Sequence, residues 1–359
     1  MKLNLNINPQ TDLLIVDDGY SGFIPKNCKF SYLKKEIYLF YLFKSILESL
    51  WTKQISKEDI KKIYFKNLIQ SFAPQIVFGH DLDGIIFRVK KNLPKITTIA
   101  YQLGSLFKGE DEVLYKKILQ NHSVDYFCVF NKNFKYFLKK IIKTKVFITG
   151  SVKNNSRPLI NKKTKYDFVF ISQFKPRPQK NRKKITHRNN EMKKMKQIVS
   201  CVYKYCIKNN KTLTIALSSI REDKKRYNYF DEEINFFESI SKDIIFHTDK
   251  SSLQAISLSK VVICYNSNLG AEILAQGKKI IFFSVSKYSN FLFDKKRNIY
   301  DINKLEQKII NIKLKKILYL SDLSWKKYIN KIQLINFDLN NKILNKLIYK
   351  ILREKKNEK

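Results

Sequence analysis

The sequence predicts a two-domain α/β protein, and three observations carry that expectation. Ten short apolar runs alternate with amphipathic stretches, most runs end in turns bearing Gly, Asp or Asn, and a polar segment with Pro158 splits them into two series. A chain of 359 residues is also long enough for two ordinary cores.

The first series comprises residues 13–17, 75–79, 97–101, 125–130 and 146–149. Continuous apolar runs of this length read as strands buried on both faces, as in parallel sheets joined by crossover helices. The second series comprises 167–171, 212–217, 243–247, 261–265 and 279–283. Between its first two runs, Met192, Met195, Val199, Val202 and Cys206 recur at helical spacing and mark one buried helix face. The expected organisation is a first domain over 1–150, a linker over 151–165, a second domain over 166–345 and a basic tail over 346–359 that frays. Beyond Asn303 the chain turns helical and rich in Lys.

Composition narrows the class. Hydrophobic residues make up 44% and aromatics 13%, so the chain folds rather than staying disordered. The net charge of +39 has two readings: an AT-rich genome writing Lys, Ile and Asn at exposed positions, or attraction to polyanions. The lysines are spread over nearly every predicted helix, which favours a general field over a dedicated nucleic-acid surface. The Tyr and Phe residues fall in strands and on apolar helix faces, which is core usage. Five cysteines without a CxxC pair suit buried thiols in a reducing compartment. The first ten residues lack a signal-peptide stretch and no apolar run approaches a membrane span, so a cytoplasmic protein is expected, meeting an anionic membrane only from its surface.

The strongest motif occupies residues 261–283. An apolar strand runs into small polar residues, then a short helix, then Gly277 as a stop and a second apolar strand. Asn266 or Ser267 can cap that helix, and its first-turn N–H groups and dipole form a ready site for phosphate or diphosphate. Glu272 lies about one turn in, where two readings stay open: an acceptor for ribose hydroxyls, or a carboxylate that complements the dipole.

This segment resembles the donor-binding turn of two-domain glycosyltransferases of the GT-B type, including those of surface carbohydrate biosynthesis and the related CDP-glycerol transferases. It is also similar to the corresponding turn of the UDP-N-acetylglucosamine 2-epimerases. Those families carry a Ser-Thr-Leu-Gly-x-Glu-like run, then Gly-Lys and an apolar strand; here stand Ser267-Asn268-Leu269-Gly270-Ala271-Glu272 and Gly277-Lys278. The resemblance implies two Rossmann-like domains facing a cleft, with C-terminal helices. It implies a nucleotide-sugar donor whose phosphates meet Ser267, Asn268, Leu269 and Gly270 and whose ribose meets Glu272. It further implies a glycan or lipid-linked glycan acceptor, no cofactor and no essential metal. Asn268 departs from the usual Thr or Ser.

Other candidates lie at strand ends, where ligands of open parallel sheets sit. His80, Asp81 and Asp83 each offer either a base for an acceptor hydroxyl or a turn and helix cap. Related transferases often show Gln-His-Gly where this chain has Gln102-Leu103-Gly104, which either leaves the base to His80 or a carboxylate or leaves the chain without the activity. Asp17-Asp18-Gly19 forms an acidic turn where an acceptor can dock. Lys175 and Arg177 open a basic loop, read either as phosphate partners or as a solvated surface. Ser218 and His247 follow second-domain strands as further candidates for the nucleotide.

The resulting expectation is a metal-independent glycosyltransferase of bacterial surface polysaccharide synthesis. Two rivals stand beside it: a UDP-sugar 2-epimerase, and a basic binding protein on a transferase fold without catalysis.

Overall fold

Each of the ten apolar runs forms a strand in the structure, a computed structural model, and all of them pair in parallel. The structure describes residues 2–4, 10–16, 28–33, 36–81, 84–103, 110–160, 163–174, 182–218, 229–247, 252–265, 267–285, 301–329 and 336–357. The chain divides into two compact units, Met1–Arg157 with Asn336–Lys359, and Pro158–Ile335.

The first unit contains β1 (Lys2–Asn4), β2 (Leu13–Ile15), β3 (Phe30–Tyr32) and β4 (Glu36–Tyr38), then the helical pair α1 (Leu39–Trp51) and α2 (Lys57–Phe72). Alternation follows through β5 (Ile76–His80), α3 (Gly84–Asn92), β6 (Thr97–Tyr101), α4 (Glu110–Leu119), β7 (Tyr126–Val129), α5 (Lys132–Lys139), β8 (Lys145–Ile148) and α6 (Val152–Asn155). Strands β1 and β4 form a separate pair, and the main sheet runs β3-β2-β5-β6-β7-β8. The order reverses between β2 and β5, so the carboxyl ends of those two strands border the crevice in which such sheets take ligands.

The second unit contains β9 (Tyr166–Ile171), α7 (Arg182–Lys208), β10 (Leu213–Ala216), α8 (Phe230–Glu238), β11 (Ile245–His247), α9 (Ser252–Ser257) and β12 (Ser259–Cys264). It continues with α10 (Asn268–Ala275), β13 (Lys279–Phe283), β14 (Asp301–Ile302), α11 (Gln307–Tyr319) and α12 (Asp322–Ile329). Its sheet runs β11-β10-β9-β12-β13-β14, which in order of appearance is third, second, first, fourth, fifth, sixth. This is the Rossmann order, and the reversal lies between β9 and β12. Helix α7 buries Met195, Val199, Val202 and Cys206, four of the five residues expected on one face, and Met192 packs at the margin.

A final helix, α13 (Lys342–Asn357), belongs to the first unit. Residues 336–345 were expected in the second domain and 346–359 as a fraying tail; through residue 357 the chain instead joins the first unit, and 358–359 lie outside the described residues. The physical reason is an apolar stripe at helical spacing: Leu344, Leu347, Ile348, Ile351 and Leu352 are buried with Leu13, Ile15, Phe78 and Tyr101 of the sheet. A buried amide network holds the return. The Asn155 side chain donates to the Thr149 carbonyl at 2.7 Å and to Asn341 Oδ1 at 2.9 Å, and accepts from the Asp338 N–H at 3.0 Å. Asn341 donates in turn to the Val152 carbonyl at 2.9 Å.

Candidate functional site

At the reversal point of the second sheet, β12 delivers the buried Tyr265 and then Ser267, the N-cap of α10. Burial and the nearby Glu191 carboxylate push the Tyr265 phenol well above its ordinary pKa, so it stays neutral. The Ser267 hydroxyl makes no cap hydrogen bond and no acidic side chain stands in the first turn. The helix dipole is therefore not neutralised there by a residue of its own turn. Asn266, the alternative cap, lies outside the described residues.

Gly270 explains how the helix reaches this position. A Cβ on it would meet Cys264 Sγ at 2.3 Å, Cys264 Cβ at 2.9 Å and Phe282 Cε1 at 3.0 Å, so only glycine lets α10 press on β12 and β13. The Gly270 N–H donates to the Ser267 carbonyl at 3.2 Å. Its missing side chain permits the close approach of helix and sheet. The buried Cys264 thiol donates to the Ser267 carbonyl at 3.6 Å and is pushed up to about 12 by burial.

The far end of α10 is equally determined. Gly277 takes φ +86°, Gly277 N–H donates to the Leu274 carbonyl at 2.9 Å and Lys278 N–H to the Ile273 carbonyl at 3.3 Å. Those two bonds form a Schellman turn. The Trp325 indole N–H donates to the Gly277 carbonyl at 2.9 Å and secures the turn from α12. Along the helix, Asn268 is exposed and Ser267, Leu269 and Glu272 are half-buried.

No residue pattern announces Glu233. This α8 side chain is fully buried, accepts from the Ser172 hydroxyl, and accepts the Ser218 N–H at 2.8 Å and the Ser218 hydroxyl at 3.1 Å. Ser172 follows β9 and Ser218 follows β10, so one carboxylate ties together two neighbouring strand ends. The Ser172 hydroxyl also accepts the Phe174 N–H at 3.1 Å, and the Ser218 hydroxyl lies 3.1 Å from the Phe174 carbonyl. Ser218, a candidate for the nucleotide, is thus engaged in fixing the turn after β9. That turn leads into 175–181; Lys175 and Arg177 lie outside the described residues. His247 is buried at the end of β11, at the sheet edge and two strands from the reversal point.

In the first unit, His80 and Asp81 stand at the end of β5, beside the reversal point of that sheet. His80 is half-buried, with its ring edge-on to Tyr101 at 6.2 Å. Asp81 is 1% exposed and its Oδ1 accepts the Leu103 N–H at 3.3 Å, so it shapes the turn after β6. Gln102 repeats the device one strand on, accepting the Phe130 N–H at 2.9 Å. Asp83 and the 17–27 segment, with its acidic turn, lie outside the described residues. Two cavities of about 290 and 350 Å³ occur in the first unit, and neither is lined by these candidates. Among the described residues, no group of three or more His, Cys, Asp or Glu is placed to hold a metal ion.

Residues 107–352, more than half of the chain, match the model of a family described as "putative O-antigen biosynthesis protein". No curated protein matches the chain in sequence. Among solved structures, a UDP-GlcNAc 2-epimerase from Methanocaldococcus jannaschii, in complex with UDP-GlcNAc and UDP, superposes with TM-score 0.54 at 13% identity, covering 97% of this chain and 100% of that one. A Listeria monocytogenes protein described as a "putative UDP-N-acetylglucosamine 2-epimerase" gives TM-score 0.61 at 10% identity over 96% and 97%. A variant of the wall teichoic acid polymerase TagF, soaked with CDPG, gives TM-score 0.52 at 10% identity over 97% and 90%. The fold is the GT-B type, with two Rossmann-like units and C-terminal helices.

Proposed function

We propose, for a chain that belongs to this O-antigen biosynthesis family, that it is a glycosyltransferase of surface polysaccharide synthesis. The second unit takes a nucleotide-sugar donor, and the first takes a glycan or lipid-linked glycan acceptor. The observation that carries the reading is the Gly270-dependent seating of α10 at the β9/β12 reversal, with no acidic group in its first turn. The solved UDP-GlcNAc complex and the CDPG soak are support from proteins of the same fold.

In this mechanism the donor diphosphate rests on the first-turn N–H groups of α10, and Glu272 accepts from the ribose hydroxyls. As an acceptor hydroxyl attacks the anomeric carbon, the bond to the diphosphate breaks and the helix dipole stabilises the departing charge. A base takes the hydroxyl proton. Of the two described candidates, half-buried His80 is better placed than Asp81, whose carboxylate is buried and holds the Leu103 turn. Lys175 and Arg177 supply countercharge to the phosphates, Ser218 fixes the turn after β9 beside the nucleotide, and His247 flanks the base. Residence at the inner face of a membrane places the enzyme near a lipid-linked acceptor.

Two measurements test the reading. Thermal shift against UDP, GDP, CDP and CMP identifies the nucleotide, because a ligand of the native state raises its apparent stability. With the matching donor, nucleotide release that depends on an added acceptor supports transfer. Inversion of the sugar without any acceptor would instead establish an epimerase, and salt-sensitive binding to polyanions with no saturable nucleotide affinity would establish a binding protein.

A further inference from the structure

Helix α1 carries its residue types in the reverse of the usual arrangement. Tyr41, Ser45 and Ser49 face inward and are buried, while Phe40, Phe43, Leu47, Leu50 and Trp51 are 46%, 64%, 52%, 54% and 90% exposed. At 100° per residue the outward side chains fill one continuous apolar arc. Polar contacts inside fix the rotation. Asn67 of α2 donates to the Ser45 hydroxyl at 3.1 Å and to Glu48 Oε2 at 2.8 Å, and the Ser45 hydroxyl donates to the Tyr41 carbonyl at 2.6 Å. Turning the apolar arc inward would leave those buried polar groups without their partners, so the exposure is built in. A contiguous apolar face of this kind marks an interaction surface.

We propose that this face of α1 docks on an anionic lipid bilayer, lying flat at the boundary between headgroups and acyl chains. Charge complementarity selects that occupant. The helical pair over residues 39–72 carries the exposed lysines Lys44, Lys53, Lys57, Lys61, Lys62 and Lys66 against three acidic residues, within a chain of net charge +39. A second copy of the chain would bring the same positive charge to the contact and be repelled. Phe43 and Trp51 on one face of α1, with Lys44 at its margin, is the composition of an interfacial helix. The helix has 13 residues, about 20 Å, short of the roughly 30 Å hydrocarbon core, and among the described residues no helix is long and apolar enough to cross a membrane. The inference names the docking element and stands apart from the donor site, since it requires no nucleotide.

The two tryptophans make the test direct, because Trp51 is 90% exposed and Trp325 only 1%. Vesicles of equimolar phosphatidylcholine and phosphatidylglycerol, added without nucleotide, should shift tryptophan emission to the blue and float the protein, whereas pure phosphatidylcholine should do so at least tenfold less. Trp51→Phe should abolish the shift but keep flotation. Phe43→Ser with Leu47→Ser should cut the bound fraction at least tenfold while the thermal unfolding midpoint holds, since both side chains are exposed. Flotation unchanged in that double variant, no emission shift in the wild type, or equal binding to neutral vesicles would overturn the proposal. A blue shift that grows with protein concentration in the absence of lipid would assign the face to a second copy instead.

Discussion

Gly270 lies so close to Cys264 that a side-chain carbon on it would stand 2.3 Å from the Cys264 sulfur. Because Cys264 is fully buried and Phe282 closes the other side, neither neighbour has room to yield. Gly270→Ala should therefore lift the start of α10 off the sheet. We expect a loss of about 1–3 kcal/mol in urea unfolding, the usual cost of overpacking, together with at least tenfold weaker nucleotide binding. Unchanged stability would show that the helix has slack at this point.

Glu233 should matter to both stability and the site, through the two strand ends it ties together. Glu233→Ala removes the acceptor of the buried Ser172 hydroxyl and of the half-buried Ser218 N–H, at about 1–3 kcal/mol for a buried group left unsatisfied, while the Ser218 hydroxyl keeps the Phe174 carbonyl. Nucleotide affinity should fall with it, because the turn after β9 loses its anchor. Ser218→Ala, which keeps the Ser218 N–H bond to Glu233, should cost less by the same unfolding measurement.

Asp167 gives the second unit an acid-sensitive contact. Burial alone would raise its pKa, but Lys260 Nζ at 2.8 Å and the Thr212 N–H at 3.1 Å outweigh it and hold the carboxyl below its ordinary value. With the folded pKa below the unfolded one, the stabilisation is present above the unfolded value of about 3.9 and is lost as pH falls through the folded one. Asp167→Asn should flatten the dependence of unfolding free energy on pH below about 4 and leave its slope near neutrality unchanged.

Asn155 should anchor the C-terminal helix. Asn155→Ala removes its bonds to Thr149, Asn341 and Asp338 and should destabilise the first unit by about 1–3 kcal/mol for each buried group left unsatisfied. Hydrogen exchange should show the loss concentrated in α13 and the strands beneath it, with the second unit unchanged.

Much of this architecture is legible in the sequence because buried parallel strands are short continuous apolar runs, and all ten were visible as such. The four strands not anticipated, β1, β3, β4 and β14, have three residues or fewer, and Phe30-Ser31-Tyr32 is only partly buried, so no run or alternation announces them. Helix α13 was obscured by its five lysines, as many as the residues of the apolar stripe they are interleaved with, while the spacing of the stripe is intact.

Within the candidate site, the strand, the helix and the Gly277 stop were legible because each is a local signal. The fixing groups were not. Glu233 meets Ser172 across 61 positions and Asn155 meets Asn341 across 186, separations over which a polar residue carries no sign of its partner. The reversal point between β9 and β12 likewise depends on strand order, which periodicity does not encode.

Isothermal titration of the wild type and of Glu272→Ala decides whether the start of α10 holds a nucleotide. Glu272 is half-buried, and the unfolding midpoint measured alongside separates a loss of binding from a loss of fold. The wild type should bind one nucleoside diphosphate saturably, and the variant should bind it at least tenfold more weakly. Equal affinity in the two proteins, or no saturable nucleotide binding by the wild type, would exclude the start of α10 as a nucleotide site.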